Sequence, residues 1–247
     1  MAKTNMKGPL LKVDRADHHM KELEGIFRRY IRANIRDMTG KKGNVNKGYE
    51  HRGFVTQLSK HTPTVIGDIV HNLRVALEHA HWILVEYNGG VFDRHITFPF
   101  GKDRPSVKGS INGKTKTQVP SQEVIDFILD EMQPFEGGRL DLYDLHKLDI
   151  LDKHEMLLPT YRQIWIPKGE TLLIEGRPPL SDGGLVISDP NVPMFTVNTP
   201  VKYTGNIQKA ITVLFGKGPM EQRPVLDTLS TLSENVRSSI ISLATFL

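Results

Sequence analysis

The chain has 247 residues, of which 38% are hydrophobic and 24% charged, and its formal net charge is +4. This composition supports a packed core and excludes a disordered or collagen-like chain, and the absence of cysteine excludes disulfide scaffolds and thiolate zinc sites. No run approaches the ~20 apolar residues that cross a bilayer, and Lys3 and Lys7 precede no apolar stretch typical of a signal peptide. We therefore expect a cytoplasmic globular protein with no membrane association.

Basic residues are concentrated in two parts of the chain. Residues 1–62 carry 14 Lys or Arg against 6 Asp or Glu, and residues 94–118 carry 6 against 1. Such segments attract polyanions, although the solvated faces of many helices carry similar charge. A nucleic acid is such a polyanion. The candidate nucleic-acid-binding residues are Arg28, Arg29, Arg32, Arg36, Lys41 and Lys42.

Four helices are predicted in the first two-thirds of the chain. Apolar residues recur there at three- and four-residue steps, and Ser121 is a suitable N-cap for the third helix. The predicted helices span residues 10–38, 64–87, 121–132 and 140–157. The glycine- and lysine-rich segments between them, residues 40–53 and 101–118, are predicted to be basic loops.

The pattern changes at Pro159, where short alternating segments and turn dipeptides predict an antiparallel sheet. Pro224 opens a final helix with apolar residues at four- and three-residue steps. The sequence therefore predicts an α+β fold. Residues 1–158 are expected to form a mainly helical lobe with basic loops, and residues 159–247 an antiparallel β-rich section closed by a C-terminal amphipathic helix. The two parts can also form one integrated domain.

The predicted helix over residues 64–87 carries a polar ridge opposite its apolar face. At about 100° per residue, Asp68, Asn72 and His79 fall within about 40° of one another, with His71 and Trp82 beside them. The ridge is either a solvated or hydrogen-bonded seam, or an active site. An imidazole exchanges a proton near neutral pH, and a nearby arginine stabilises charge that develops on phosphate.

Arg74 and His79 are separated by four residues in the segment RVALEH. This spacing resembles the HEPN superfamily, in which an arginine and a histidine lie on one helix with four to six residues between them. The resemblance implies a HEPN-like helical domain and a metal-independent endoribonuclease whose site is assembled across a homodimer. It also implies that His79 is the acid or base and Arg74 the phosphate clamp. The two residues lie about 140° apart around the helix, so their convergence requires the long arginine side chain or a partner subunit.

A wider pattern, GDIVHNLRVALEHAHW followed by TFPF and LHKLDILDKHEMLL, also resembles a group of bacterial and phage proteins that has no established activity. It links the second predicted helix to the fourth, where His146, Asp149 and Lys153 share a face. Asp149 and Lys153 also suit a simple exposed ion pair. We expect His146 to be a third catalytic residue, opposite His79. The supporting site residues are Asp68, His71, Asn72, Asp149, Asp152, Lys153 and His154.

Two alternatives remain open. In the first, the polar ridge is a structural seam in a noncatalytic interaction protein of phage or mobile-element origin. In the second, the chain is a metal-binding helical protein, since histidine and aspartate on facing helices can bind zinc or manganese. The ligands would be His71, His79, His146 and Asp149, with Asp68. No compact motif such as HExxH supports this, so we expect no metal and no other cofactor.

Overall fold

The computed structural model describes residues 5–38, 51–52, 58–91, 95–112, 119–155, 160–174, 180–187, 196–197, 201–204 and 211–247. Side chains are described for residues 5–33, 58–91, 95–111, 119–153 and 212–247. The helices are α1 (Lys7–Met38), α2 (Thr62–Tyr87), α3 (Arg104–Asn112), α4 (Gln122–Phe127), α5 (Leu142–Glu155) and α6 (Val225–Leu243). A π-helix, Ile128–Met132, continues α4, and a 3-10 turn, Ala244–Phe246, follows α6.

The apolar stripe predicted as the core face of α2 is confirmed, and the stripe of α6, whose packing partner the sequence left open, is buried as well. Their apolar side chains follow the helical period and are almost completely removed from solvent. In α2 the stripe is Ile66, Ile69, Leu73, Leu77, Ala80 and Leu84. In α6 it is Val225, Leu229, Leu232, Val236, Ile240 and Leu243. The stripe of α6 is therefore buried within the chain and is not left open for a second subunit.

Polar contacts fix how α6 runs along the first part of α1. Ser233 donates a hydrogen bond to Asp17 at 2.6 Å, and Arg237 contacts Asp14 at 2.8 Å and Asp17 at 2.7 Å. Residue numbers rise along α6 as they fall along α1, so the two helices are antiparallel. Arg237 is thereby held between two carboxylates, which together raise its pKa.

A helix replaces part of a predicted loop. Residues 101–118 were expected to bury little, yet α3 occupies Arg104–Asn112 and buries Val107 and Ile111. Asp103 accepts hydrogen bonds from the Ser106 amide at 2.7 Å and from its hydroxyl, as an N-cap does. The high glycine, serine and lysine content of this segment masked a short amphipathic helix.

Six strands are described: β1 (His51–Arg52), β2 (Thr160–Ile174), β3 (Leu180–Ile187), β4 (Thr196–Val197), β5 (Val201–Thr204) and β6 (Ile211–Phe215). The long strand β2 pairs antiparallel with β3, β5 and β6, and β1 pairs antiparallel with β4. The register between β2 and β3 shifts between Ile166 and Thr171, which is an irregularity in the ladder.

The predicted α+β class is wrong. Of the strands, only the last four residues of β6 have described side chains. Among all residues with described side chains, 70% are helical, and they contain a single short strand and no sheet. Of the strand residues whose side chains are described, Val213, Leu214 and Phe215 are buried. Asp227–Leu247, which holds most of α6, falls in one compact unit with Thr64–Leu158, whereas the strands fall in another. The section after residue 158 is therefore not a β-rich layer closed by the C-terminal helix.

The chain divides into two compact units. The helical unit comprises Met1–Lys21, Thr64–Leu158 and Asp227–Leu247, so most of α6 belongs with α2 and α5. The second unit comprises Glu22–Pro63 and Pro159–Leu226 and contains the strands. Within the described residues, none of the helices has the length and apolar character needed to span a membrane.

Candidate functional site

Arg74 on α2 joins side chains of α2 and α5 in the helical unit. Its guanidinium donates to Asp149 Oδ2 at 3.0 Å and to His146 Nδ1 at 3.2 Å, and it forms an ion pair with Glu78 at 2.8 Å. Only 18% of the Arg74 side chain is exposed. We call Arg74, Glu78, His146 and Asp149 the arginine cluster.

Asp149 is the buried anion of the arginine cluster, with 2% of its side chain exposed. Besides Arg74, it accepts a hydrogen bond from Lys153 Nζ at 2.5 Å and contacts His71 Nδ1 at 3.0 Å. Burial alone would raise the pKa of Asp149. The hydrogen bonds from Lys153 and His71 and the charge of Arg74 outweigh that effect and lower it, so the carboxyl is ionised at neutral pH. The Asp149–Lys153 pair is present as predicted, but the carboxylate is not exposed.

Glu78 completes the cluster, and sequence reasoning missed it. Its carboxylate accepts a hydrogen bond from the backbone amide of Phe98 as well as pairing with Arg74. Burial raises the pKa of Glu78, against the opposing effects of the Phe98 amide and Arg74. Its position four residues after Arg74 was the available signal, since residues at i and i+4 meet on a helix surface.

His146 is held as a neutral hydrogen-bond acceptor. Its ring stacks on Phe100 with centroids 4.4 Å apart and planes at 6°. Burial and the charge of Arg74 lower its pKa to about 4. A guanidinium has no acceptor, so Nδ1 must present its lone pair to Arg74, and the proton of the neutral ring lies on Nε2. The lone pair that a general base requires is therefore already engaged by Arg74.

His71 has the opposite tautomer. The ionised Asp149 can only accept, so His71 Nδ1 carries the proton and donates it to Asp149. The lone pair of the neutral ring is then on Nε2, and 48% of the side chain is exposed. His146 belongs to the arginine cluster and His71 contacts its Asp149. Of these two histidines, His71 is the one with a nitrogen available to accept a proton.

His79 does not join the arginine cluster. It lies on the exposed side of α2, and partial burial together with the charge of Lys12 lowers its pKa. Within the described chain it forms no hydrogen bond or ion pair with Arg74 or His146. The structure thus brings together two of the three predicted catalytic residues and separates the third, in agreement with the 140° divergence expected from the helix period.

The predicted supporting residues of α2 and α5 have different contacts. Asp152 packs against Gly67, where an added Cβ would lie 2.5 Å from Asp152 Oδ2. Burial, and then the charges of Asp149 and Asp68, raise the pKa of Asp152. Asn72 donates to the backbone oxygen of Asp68 at 2.8 Å, within its own helix. The close contact between α2 and α5 at this point thus needs a residue without a side chain at position 67. The sequence did not reveal this.

Negative charge exceeds positive charge around the arginine cluster. Arg74 and Lys153 supply two cations, and the carboxylates are those of Glu78, Asp149 and, near Asp149, Asp152. Despite these carboxylates and the two histidines, the described residues contain no group of three or more potential ligands arranged to hold a metal ion.

The predicted nucleic-acid-binding residues are described in part. Arg28, Arg29 and Arg32 are exposed on α1. The backbone of Arg36 belongs to α1 and that of His154 to α5, but their side chains lie outside the described residues, as do Lys41 and Lys42 entirely.

The resemblance of the chain to the HEPN superfamily rests on the spacing of Arg74 and His79. The geometry separates these two side chains and instead pairs Arg74 with α5. Comparisons of the chain with protein-family models, with curated proteins and with solved structures found no match.

Proposed function

We propose that this protein is a noncatalytic binding protein, in which the arginine cluster is a structural tie between α2 and α5. The observation that supports the proposal is the engagement of Arg74 by three partners from its own chain, Glu78, His146 and Asp149. A phosphate clamp needs guanidinium donors that face the substrate. Here those donors, and the charge they carry, are directed at groups of the protein.

The electrostatics of the cluster support the same proposal. A phosphate approaching Arg74 would meet Glu78 and Asp149 on the same guanidinium, and the charge of Asp152 lies near Asp149. Like charges disfavour that approach, and displacing Arg74 from Asp149 would remove one of the three partners of a buried carboxylate.

The histidines add a further argument. His146 has its basic nitrogen occupied, and its pKa of about 4 keeps it neutral at the pH of a cell. As a neutral ring it carries a proton only on Nε2, which is a very weak acid. His79 is separated from Arg74. The resemblance implies that His79 acts as acid or base beside an Arg74 phosphate clamp, and no contact between these two side chains within one described chain supports that role.

Incubation of the purified protein with total RNA, with and without EDTA, tests the proposal. We expect the RNA to remain intact in both samples. The proposal is overturned if the wild-type protein cleaves RNA and an Arg74→Lys or His146→Gln variant that unfolds cooperatively does not. A nuclease contaminant would be recognised because its activity would survive in both of these variants and in His71→Gln.

A second candidate function is metal-independent RNA cleavage with His71, and not His79, as the base. The observation that favours it is the half-exposed imidazole oriented by a buried carboxylate, the arrangement that directs Nε2 of a catalytic histidine toward a substrate. Cleavage in EDTA that is lost in His71→Gln and retained in the matched surface variant His79→Gln would support this candidate over the first.

Partner, compartment and assembly are also proposals. RNA is the proposed partner because exposed arginines lie on α1, and the absence of cysteine suits a cytoplasmic location. A homodimer remains a prediction from the resemblance alone.

A further inference from the structure

Three arginines form one exposed face on α1. Arg28 and Arg32 are one helical turn apart, about 6 Å along the axis, and Arg29 lies beside them. All three are exposed. The buried residues in this part of the helix are Leu23, Ile26, Phe27 and Tyr30. At about 100° per residue, the centre of the arginine face lies roughly opposite that buried stripe.

These arginines differ from those of the helical unit in how their charge is compensated. Arg104 pairs with Asp130, Arg139 with Glu131, and Arg237 with two aspartates, as Arg74 does with Glu78 and Asp149. Among the described residues, no carboxylate forms an ion pair with the three arginines of the α1 face. Within the part of the chain whose side chains are described, their charge is therefore exposed and not neutralised by an ion pair.

We propose that the arginine face of α1, made of Arg28, Arg29 and Arg32, binds the phosphodiester backbone of a nucleic acid without reading its sequence. This inference rests on the proposed function, because it supplies the partner class of a noncatalytic binding protein. Planar guanidinium groups match phosphate oxygens in pairs, and phosphate contacts position a protein on a strand without selecting bases.

The composition of the face favours a nucleic acid over a lipid surface. An interfacial helix inserts large apolar side chains beside its cations. Here the large apolar residues flanking the arginines, Leu23, Ile26, Phe27 and Tyr30, are buried inside the protein. A polyanion that needs only exposed charge is the better fit.

The test is fluorescence anisotropy with a labelled 30-nucleotide single strand, as RNA and as DNA of the same sequence, between 50 and 200 mM KCl. The wild-type protein is compared with the triple variant Arg28→Gln, Arg29→Gln, Arg32→Gln. Each lost phosphate contact on a single strand lowers the slope of log K against log salt by about 0.7, so we expect the slope to fall by about 2. Affinity at low salt should drop by about tenfold or more.

Arg15→Gln is the matched control, since Arg15 is an exposed arginine of the same helix about 20 Å from Arg28 along its axis. It should leave the slope almost unchanged. If the triple variant loses its cooperative melt, the single variant Arg28→Gln is measured instead, with an expected slope change of about 0.7.

The strand is also run on a gel after each titration, which separates binding from cleavage. An intact strand that the wild-type protein does not bind overturns the inference and leaves the noncatalytic function standing. A strand that is bound and cut overturns the noncatalytic function and leaves the arginine face standing. Equal binding by the wild-type protein and the triple variant overturns the inference, as does binding of polyglutamate but not of either nucleic acid.

Discussion

Replacement of Arg74 by methionine tests whether the arginine cluster is a structural tie. The substitution keeps a long apolar stem but removes the contacts to Glu78, His146 and Asp149. Loss of one partner from a buried ion pair typically costs about 3–5 kcal/mol of unfolding free energy. Lys153 and His71 still contact Asp149 in the variant, so we expect the lower end, about 3 kcal/mol. In a chain of this size that corresponds to a fall in Tm of about 6–12 °C.

Urea unfolding followed by circular dichroism measures the loss, with Arg104→Met as the matched control. Arg104 pairs with Asp130 at 2.6 Å, but both side chains are about half exposed, so its replacement should cost less than about 1 kcal/mol. Combining Arg74→Met with Asp149→Leu should cost less than the sum of the two single changes, because the buried charge is removed with its partner. An Arg74→Met loss no larger than the Arg104→Met loss would refute the structural role.

Three further predictions concern pH, packing and assembly. The pKa of His146 in the folded protein is about 4, below its ordinary value of 6.5, so the unfolded chain binds the extra proton between these values. Stability should therefore fall as the pH drops from 6.5 to 4, and His146→Gln should flatten that part of a melting curve taken against pH. Gly67→Ala should destabilise the protein by about 1 kcal/mol and be partly rescued by Asp152→Ala, whereas Gly109→Ala, in open space on α3, should stabilise it by about 0.5–1 kcal/mol in the same urea assay. Light scattering should give a mass above 27.9 kDa that rises with concentration if the homodimer forms, and a constant monomer mass would defeat that prediction.

The helices could be predicted because their signals are local. The apolar period of α2 and α6 placed their buried stripes correctly, and the same period placed Arg74 and His79 on diverging directions. The burial of Asp149 could not be predicted, because the contacts that bury it join residues far apart in the sequence. The burial of Asp149 depends on Arg74 and His71 on another helix, and the i to i+4 rule alone left it on the surface.

Two other features could not be predicted from the sequence, each for its own physical reason. Alternation after residue 158 predicted a β-rich section closed by the C-terminal helix, but the apolar period of that helix does not tell which part of the chain it packs against, and it belongs to the helical unit. The choice of His79 as a catalytic residue followed from spacing, whereas the protonation state of each histidine depends on which partner faces its Nδ1. That partner is Arg74 for His146 and Asp149 for His71, and no single-helix pattern contains it.

The contact between the Phe98 amide and Glu78 makes a loop segment part of a cooperative opening unit. Glu78 binds that amide with one oxygen and Arg74 with the other, and Arg74 in turn reaches α5. If residues 95–101 separated from α2, the largely buried Glu78 carboxylate would keep Arg74 as its remaining partner of the two. The Phe98 amide should therefore exchange its hydrogen with solvent only in openings that also loosen α2 from α5, and its exchange rate reports on the integrity of the whole cluster.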